Sequence, residues 1–289
     1  MAIMAADLHT HTTASDGTQA PAVNVQLAKA AGLAAVAITD HDTMAGVEEA
    51  LTEGERIGIT VVPGVELSTV ADGDDIHVLA YYADWRNDGW QDRLASLRDV
   101  RDRRNEMMVD RLVQLGIPIT IAEVTALAAE RAGSGPSKNK DKGTTIGRPH
   151  IAELLIRKGI VASMPEAFER YLAAGKAAYV NPPRLHPYEA LEWIREAGGT
   201  SVLAHPGLYN NDELVENIVR QGIQGIEVYH SDHGPAEEER YLRLAEKYGL
   251  IVTGGSDFHG ERQGQVFHGP IGSRSVDAAV LKQLNPKTR

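Results

Sequence analysis

Short apolar runs alternate with segments of helical periodicity along most of this chain. Ala5 to Leu8 predicts a first strand, Ala22 to Ala31 a helix closed by Gly32, and Ala34 to Thr39 a second strand. Val47 to Ile57 then predicts a second helix and Thr60 to Leu67 a third strand. Such alternation implies parallel strands joined by crossover helices. Ile76 to Tyr82 adds a fourth strand. After Leu185 the rhythm resumes with a helix from Tyr188 to Glu196, a strand from Ser201 to Ala204 and a helix from Glu213 to Arg220. Strand Gly225 to Tyr229, helix Ala236 to Tyr248 and strand Leu250 to Thr253 follow, so the predicted strands number seven, close to the count of an α/β barrel.

Between the two halves the pattern changes. Trp90 to about Leu115 reads as one long charged helix carrying Arg101-Asp102-Arg103-Arg104 and stopped by Gly116 and Pro118. Thr120 with Glu123, and Ser163 with Glu166, have the spacing of capping boxes, and Pro165 suits a first helical turn. The expected organisation is a discontinuous barrel, residues 1–87 and 182–289, interrupted at 88–181 by a mainly helical insertion over the barrel mouth. Inside that insertion, Gly133 to Gly143, with Lys138, Lys140 and Lys142, reads as a flexible basic loop.

Composition narrows the chemistry. With 289 residues, 43% of them hydrophobic, the chain can bury a large core. It has no cysteine, which excludes disulfides, thiolate zinc sites and cysteine nucleophiles, so any metal must be held by nitrogen and oxygen. A formal net charge of -11 opposes broad binding to long nucleic acid, which relies on many cationic contacts to phosphates. A small phosphorylated nucleotide or a short oligonucleotide stays compatible if cations are concentrated at the site. There is no basic N-terminal region followed by a long apolar run, and no stretch approaches the roughly 18 apolar residues of a membrane span. A cytoplasmic protein without membrane contact is expected; its oligomeric state is not legible.

The candidate chemistry begins at His9-Thr10-His11, followed by Asp16-Gly17. Imidazoles at i and i+2 of an extended segment project to one side and can share a metal ion, and Asp16 can reach a neighbouring one. Further ligand types fall where apolar runs end: Thr39-Asp40-His41-Asp42, Pro63-Gly64-Val65-Glu66, His77, Ala204-His205-Pro206 and Gly255-Ser256-Asp257-Phe258-His259. Parallel barrel strands direct their C-terminal ends to one face, so ligands distant in sequence converge there. Alone, His77 would be a core histidine, Asp16-Gly17 a turn and Glu66 an edge acid; their companions make each a ligand candidate. Asp40 and Asp42 are read as supports for the ligands. A water shared by two cations loses a proton near neutral pH while the same cations bind phosphoryl oxygens, so no side-chain nucleophile is needed. The absence of a Gly-x-Ser-x-Gly elbow fits that reading.

These motifs, in this order, resemble those of the polymerase and histidinol phosphatase (PHP) family of metal-dependent phosphoesterases. The resemblance spans both halves and leaves only the insertion uncovered. It implies a distorted (β/α)7 TIM-like barrel holding a divalent metal cluster of two or three ions, manganese, iron or zinc; mixed imidazole and carboxylate ligands favour Mn2+. Carried over by position, it assigns His9, His11, Glu66 and Asp257 to one metal, with Glu66 bridging to a second held by His77 and His205. Asp16, His41 and His259 would hold the third.

Gly147-Arg148-Pro149-His150-Ile151-Ala152 and Tyr179-Val180 are closest to a subgroup of short members that act as 3',5'-nucleotide bisphosphate phosphatases, related to short-RNA 5'-3' exonucleases. That similarity makes Arg148, beside the free N–H groups of a helix start, and Tyr179 candidates for holding the second phosphate or the base. In Glu227-Val228-Tyr229-His230-Ser231-Asp232-His233, the residues His230, Ser231 and His233 follow a barrel strand. They are candidates for substrate contact, and His230, His233 and Asp257 for catalysis, with a histidine as proton donor to the leaving group. His268 is a further substrate candidate, and His186 before Pro187 reads as a helix entry. The expected reaction removes the 3'-phosphate of a nucleoside 3',5'-bisphosphate, as in adenosine 3',5'-bisphosphate to AMP. Alternatives are a 5'-3' exoribonuclease acting on short RNA, a histidinol phosphate phosphatase, and a non-catalytic metal-binding module. The helical insertion disfavours the second and the complete ligand set disfavours the last.

Overall fold

The computed structural model describes residues 4–131, 145–262 and 265–288. Its centre is a barrel of seven strands: β1 (Ala5–Asp7), β2 (Ala35–Ile38), β3 (Thr60–Ala71), β4 (Asp74–Tyr81), β5 (Thr200–Leu203), β6 (Gly225–His230) and β7 (Ile251–Gly255), neighbours in that order. A short strand, Val276–Asp277, adds antiparallel to the start of β1. Past its paired residues, the β1 chain turns to β7 instead: Leu8 N–H donates to Gly254 O at 3.1 Å and His11 N–H to Phe258 O at 2.8 Å, closing the ring. Alanines fill much of the interior, Ala6, Ala35, Ala37 and Ala204 among them. Their small size leaves room for the buried Tyr81, whose hydroxyl donates to Leu8 O at 2.7 Å across the barrel.

The strands are not all parallel, as the alternation implied. β3 and β4 form an antiparallel hairpin, Ala71 opposite Asp74, and β4 is also antiparallel to β5. The cause is the two-residue connection Asp72-Gly73, with φ of 53° and 92°, a geometry that joins only adjacent antiparallel strands. β3 also continues four residues beyond the predicted end at Leu67.

Around the barrel lie α1 (Pro21–Ala30) and α2 (Val47–Ile57) in the first half. The chain then leaves the barrel through α3 (Asp88–Gln114), α4 (Ile121–Arg131), α5 (Arg148–Arg157) and α6 (Met164–Ala167). It returns as α7 (Pro187–Glu196), α8 (Asp212–Arg220) and α9 (Pro235–Tyr248). Gly58 and Gly249, both left-handed, end α2 and α9 as only glycine does without strain. α3 starts with Asn87 Oδ1 accepting from Trp90 N–H at 3.0 Å. Its first half buries Trp90, Leu94 and Leu97 in the barrel's outer core, and its second half buries Met108, Val109 and Leu112 in a separate core with α4, α5 and α6. Between these stretches the buried residues are polar: Arg101, Arg104 and Asn105.

Thr120 and Glu123 make the reciprocal capping box, Thr120 N–H donating to Glu123 Oε2 at 2.8 Å and Glu123 N–H to Thr120 Oγ1 at 3.2 Å. At Ser163 the box is incomplete: Glu166 N–H donates to Ser163 Oγ, but Glu166 Oε2 accepts from Ala162 N–H. The basic loop Gly133 to Gly143 lies outside the described residues. Among the described residues no helix is long and apolar enough to cross a membrane.

Candidate metal centre

The residues singled out as ligands meet at one mouth of the barrel. His9 and His11 follow β1, His41 follows β2, His205 follows β5, and Asp257 and His259 follow β7. Glu66 lies inside β3 instead of closing it, bridging in parallel fashion to His41. His77 reaches the same mouth because β4 runs backwards, so the start of the strand lies where the parallel strands end. His205 (φ 27°) and Asp257 (φ 52°) have left-handed backbones that non-glycine residues adopt only under constraint from their surroundings.

Glu66 is the hub. Its Oε1 lies 2.8 Å from His77 Nδ1, 3.0 Å from His205 Nε2 and 3.5 Å from His9 Nε2. Its Oε2 lies 2.9 Å from His41 Nδ1 and 3.2 Å from His11 Nε2. Asp257 Oδ1 is 3.1 Å from His11 Nε2 and 3.4 Å from His9 Nε2. Asp16 faces His259 Nε2 at 3.4 Å and His41 Nε2 at 3.8 Å. Donor atoms close enough to share an ion form several sets. One is His11, Asp16, His41 and His259; another His9, His11 and Asp257; a third His41, Glu66 and His77. The first contains the three residues expected for one metal together with His11, and the third brings His41 beside Glu66 and His77.

Electrostatics and hydrogen bonding fit bound cations. Burial works against ionisation of Asp16, Glu66 and Asp257, yet the facing imidazoles outweigh it and hold all three carboxyls well below their usual range. Burial pushes His41 and His205 down to about 4, leaving neutral imidazoles that can ligate. Burial also opposes charge on His9 and His11, but Glu66, Asp257 and, for His9, Glu227 override it; without a cation, His11 is pushed up to about 10 and His9 well above its ordinary value. His9 Nε2, both ring nitrogens of His11, Asp16 Oδ1, His41 Nδ1 and Asp257 Oδ1 are buried without a hydrogen-bond partner. Orphaned donor atoms this dense are rare in a folded core and are what metal coordination would satisfy.

A second layer orients these side chains. Glu227 is fully buried on β6; it sits 3.1 Å from His9 Nδ1, fixing the tautomer that presents Nε2, and accepts from His205 N–H at 2.9 Å. Asp40 accepts from Thr12 N–H and Oγ1 at 2.7 Å and from Ser15 Oγ at 2.6 Å, holding the loop that carries Asp16. Asp42 pairs with Arg101 at 2.9 Å and caps Ser68 N–H at 2.8 Å. Sequence reasoning assigned no role to Glu227; its signal was a lone acid inside an apolar strand.

A cavity of about 310 Å3 opens over the cluster. Arg101, Arg104 and Arg148 cluster in its lining, and Phe168, Leu208 and Phe267 add apolar surface. Arg148 begins α5 as expected and pairs with Asp75 at 2.8 Å. Tyr179 does not line this cavity; its hydroxyl is buried without a partner. His268 does line it, with Nδ1 on Asp232 at 2.6 Å and Nε2 at 3.5 Å from Asp257 Oδ2.

His230 is buried behind Asp257, 3.2 Å from Oδ2, and Ser231 donates to Ser256 O at 2.8 Å; neither lines the cavity. His233 is spent on the fold: Nδ1 donates to Val228 O at 2.8 Å and Nε2 accepts from Gly207 N–H at 3.0 Å, so neither nitrogen is left for a substrate or a leaving group. His186 caps α7 as a helix entry. Arg101 and Arg104, unassigned from sequence, enter the site because positions i and i+3 of α3 share the face turned to the mouth.

Fold and site together define a closed barrel built around a candidate multinuclear metal centre. The chain belongs to the PHP domain family. The family model matches residues 7–133. The chain is 34% identical to the 5'-3' exoribonuclease Rnm of Escherichia coli (strain K12), over 88% of this chain and 84% of that protein. It is 32% identical to the 3',5'-nucleoside bisphosphate phosphatase of Chromobacterium violaceum, over 89% and 88%. Among solved structures, a protein of Bifidobacterium adolescentis described as a metal-dependent phosphoesterase superposes with a TM-score of 0.84 at 34% identity, covering 96% of this chain and 94% of that one. An amidohydrolase from Chromobacterium violaceum, solved with sulfate and no metal, superposes with a TM-score of 0.80 at 29% identity, over 95% and 92%.

Proposed function

We propose that this protein is a metal-dependent phosphoric ester hydrolase that removes the 3'-phosphate of nucleoside 3',5'-bisphosphates. The observation that carries the reading is Glu66, one buried carboxylate within 3.5 Å of ring nitrogens of His9, His11, His41, His77 and His205, under a cavity with arginines in its lining. Such a floor suits divalent ions and such a lining suits anions. The similarity to the bisphosphate phosphatase supports the substrate.

His9, His11, Glu66 and Asp257 would hold one ion, His77 and His205 a second with Glu66 between them, and Asp16, His41 and His259 a third; manganese suits the donor set. When bound, such ions supply an activated water and neutralise charge building on the phosphoryl oxygens. The chain's own groups do the rest. Glu227 keeps the His9 proton on Nδ1. His268, anchored through Nδ1 to Asp232, turns Nε2 into the cavity beside Asp257 and is the group positioned to protonate the departing ribose oxygen. Phe168, Leu208 and Phe267 give a base an apolar surface to pack against, a contact every base can make, so base identity should matter little.

A second reading has support in the similarity to the exoribonuclease. The first nucleotide of a 5'-phosphorylated RNA presents the same 5'-phosphate, ribose and 3'-phosphorus as the bisphosphate and expels the same 3'-oxygen; it differs in the second ester that joins the phosphorus to the next nucleotide. The test is purified protein with Mn2+ against adenosine 3',5'-bisphosphate, a 5'-phosphorylated oligoribonucleotide and histidinol phosphate. Fast release of phosphate from the first supports the main reading, stepwise release of 5'-nucleotides from the second supports the alternative, and inactivity on all three overturns both.

A further inference from the structure

Asp16 is held less firmly by the barrel than the loop it stands on. Asp40 fixes the start of that loop through Thr12 and Ser15, but Asp16 Oδ1 is buried without a hydrogen-bond partner, and His259 and His41 stand 3.4 and 3.8 Å from its carboxylate. What reaches the loop from outside the barrel is the insertion. Thr145 N–H donates to Ala14 O at 3.0 Å, and the chain then runs past Asp16 into α5. A Cβ on Gly147 would lie 3.1 Å from Asp16 Oδ2, closer than ordinary van der Waals contact, with Pro149 Cδ at 3.2 Å and Arg101 Nη1 at 3.4 Å. The backbone of Gly147, at φ -123°, is open to any residue, so glycine is needed here for space and not for conformation.

Gly147 is itself locked in place. Its N–H donates at 3.1 Å to Nδ1 of the buried His150, and the buried Asn105 of α3 donates from Nδ2 to Ile146 O at 2.9 Å. A second tie runs through Arg262, which is 6% exposed. It donates to Asp16 O and lies over Phe267 at 5.8 Å, and Phe267 packs against the insertion's own core. Of the run Gly147-Arg148-Pro149-His150, Arg148 faces the cavity, whereas Gly147 and His150 serve the ligand loop.

We infer that the helical insertion is part of the metal centre: Gly147 is the positioning residue that sets the Asp16 carboxylate towards His11, His41 and His259, so the ion of that set binds in linkage with the seating of the insertion on the barrel. The inference rests on the metal-centre reading above and goes beyond it. One ion of the cluster depends on the insertion, while the donor sets around Glu66 and Asp257 consist of barrel residues alone. The linkage is reciprocal: whatever binds at Asp16 also steadies the insertion, which supplies Arg148 and Phe168 to the cavity lining.

The test titrates Mn2+ into chelator-treated protein, counting bound ions from the electron paramagnetic resonance of free Mn2+ and reading affinities by calorimetry. Gly147→Ala should weaken one class of ion roughly 10-fold, the lower end of the cost of disturbing a ligand's support, and leave the others at wild-type affinity. Gly147→Ser adds the same Cβ but is a preferred helix N-cap, so it should weaken the same class while the metal-free melting temperature holds. A loss seen in the Ala variant and absent in the Ser variant overturns the inference, as does equal weakening of every ion. In an Asp16→Asn background, Gly147→Ala should change the remaining Mn2+ binding no further, because its effect runs through that carboxylate; a further weakening there also overturns it. Saturating Mn2+ should slow amide exchange at Thr145, Gly147 and His150 in wild type and much less in Asp16→Asn, and exchange indifferent to the metal removes the linkage. Wild type that binds Mn2+ as described but hydrolyses no phosphoester keeps this inference and removes the catalytic reading, whereas wild type that binds no Mn2+ removes both.

Discussion

Two side chains carry the most specific expectations at the scale of single residues. Glu227→Gln keeps size and burial but replaces an anion 3.1 Å from His9 Nδ1 with an amide that can present its NH2 to that nitrogen, so His9 loses the partner that orients it. Metal affinity should drop roughly 10- to 100-fold, the usual cost of losing such a partner, measured as the manganese concentration needed for half-maximal activity. His268→Asn should lower kcat by roughly 100-fold or more, in the range of a lost general acid, while metal content measured on the purified variant stays at the wild-type level. The loss should shrink for a substrate whose leaving group needs no proton, such as p-nitrophenyl phosphate; an equal loss there would remove His268 from the chemistry. The ligand candidates His9, His11, His41, His205, Asp257 and His259 stand out because each follows an apolar run that becomes a strand, and Asp16, Glu66 and His77 stand out by keeping company with them. Glu227, Arg101 and Arg104 were not legible, since an acid in a strand and arginines in a charged helix are ordinary until the fold turns them inward. His233 misled for the opposite reason: it follows a barrel strand, but its ring was already committed to Val228 and Gly207.

Among the elements, the β3–β4 hairpin decides whether the cluster is complete. His77 sits opposite Ser68 in that ladder, and the register depends on the Asp72-Gly73 turn, whose second residue has φ 92°. Gly73→Ala should cost on the order of 1 kcal/mol through left-handed strain alone, read from urea denaturation, since a Cβ there meets no other atom within 4 Å. If the strained turn also shifts the register, the manganese requirement rises with the loss of stability; a rise in one without the other separates turn strain from ligand placement. The Asp-Gly pair was a readable hairpin signal, but the alternation on either side of it favoured a parallel reading, and β3 runs on past Leu67. α3 was legible as a long helix, whereas its service to two cores was not: a stripe interrupted by Arg101, Arg104 and Asn105 looks polar in sequence and becomes apolar on both sides of the mouth only when folded.

On the scale of the whole molecule, the balance of charge ties folding to metal. The net charge of -11 is spread over the chain, but Asp16, Glu66, Glu227 and Asp257 are buried in one barrel mouth, where mutual repulsion is relieved in the absence of metal by protons on neighbouring imidazoles and in part by Arg101. The native state should therefore bind divalent ions that the unfolded chain, with its ligands dispersed over some 250 positions, binds poorly. Mass action then predicts stabilisation of about 2.7 kcal/mol for each site held at 100 times its dissociation constant, and a rise in melting temperature of roughly 4 to 5 °C for one such site in a chain of this size. Chelator-treated protein titrated with manganese in a thermal melt should show that rise. His77→Ala, which takes one donor from the set around Glu66, should show a smaller one, while a substitution on the exposed face of α9, such as Arg243→Gln at its ion pair with Glu239, should leave it unchanged. A melting temperature indifferent to manganese in the wild type would mean that the converging carboxylates are neutralised by protons alone, and the proposed centre would fall with it.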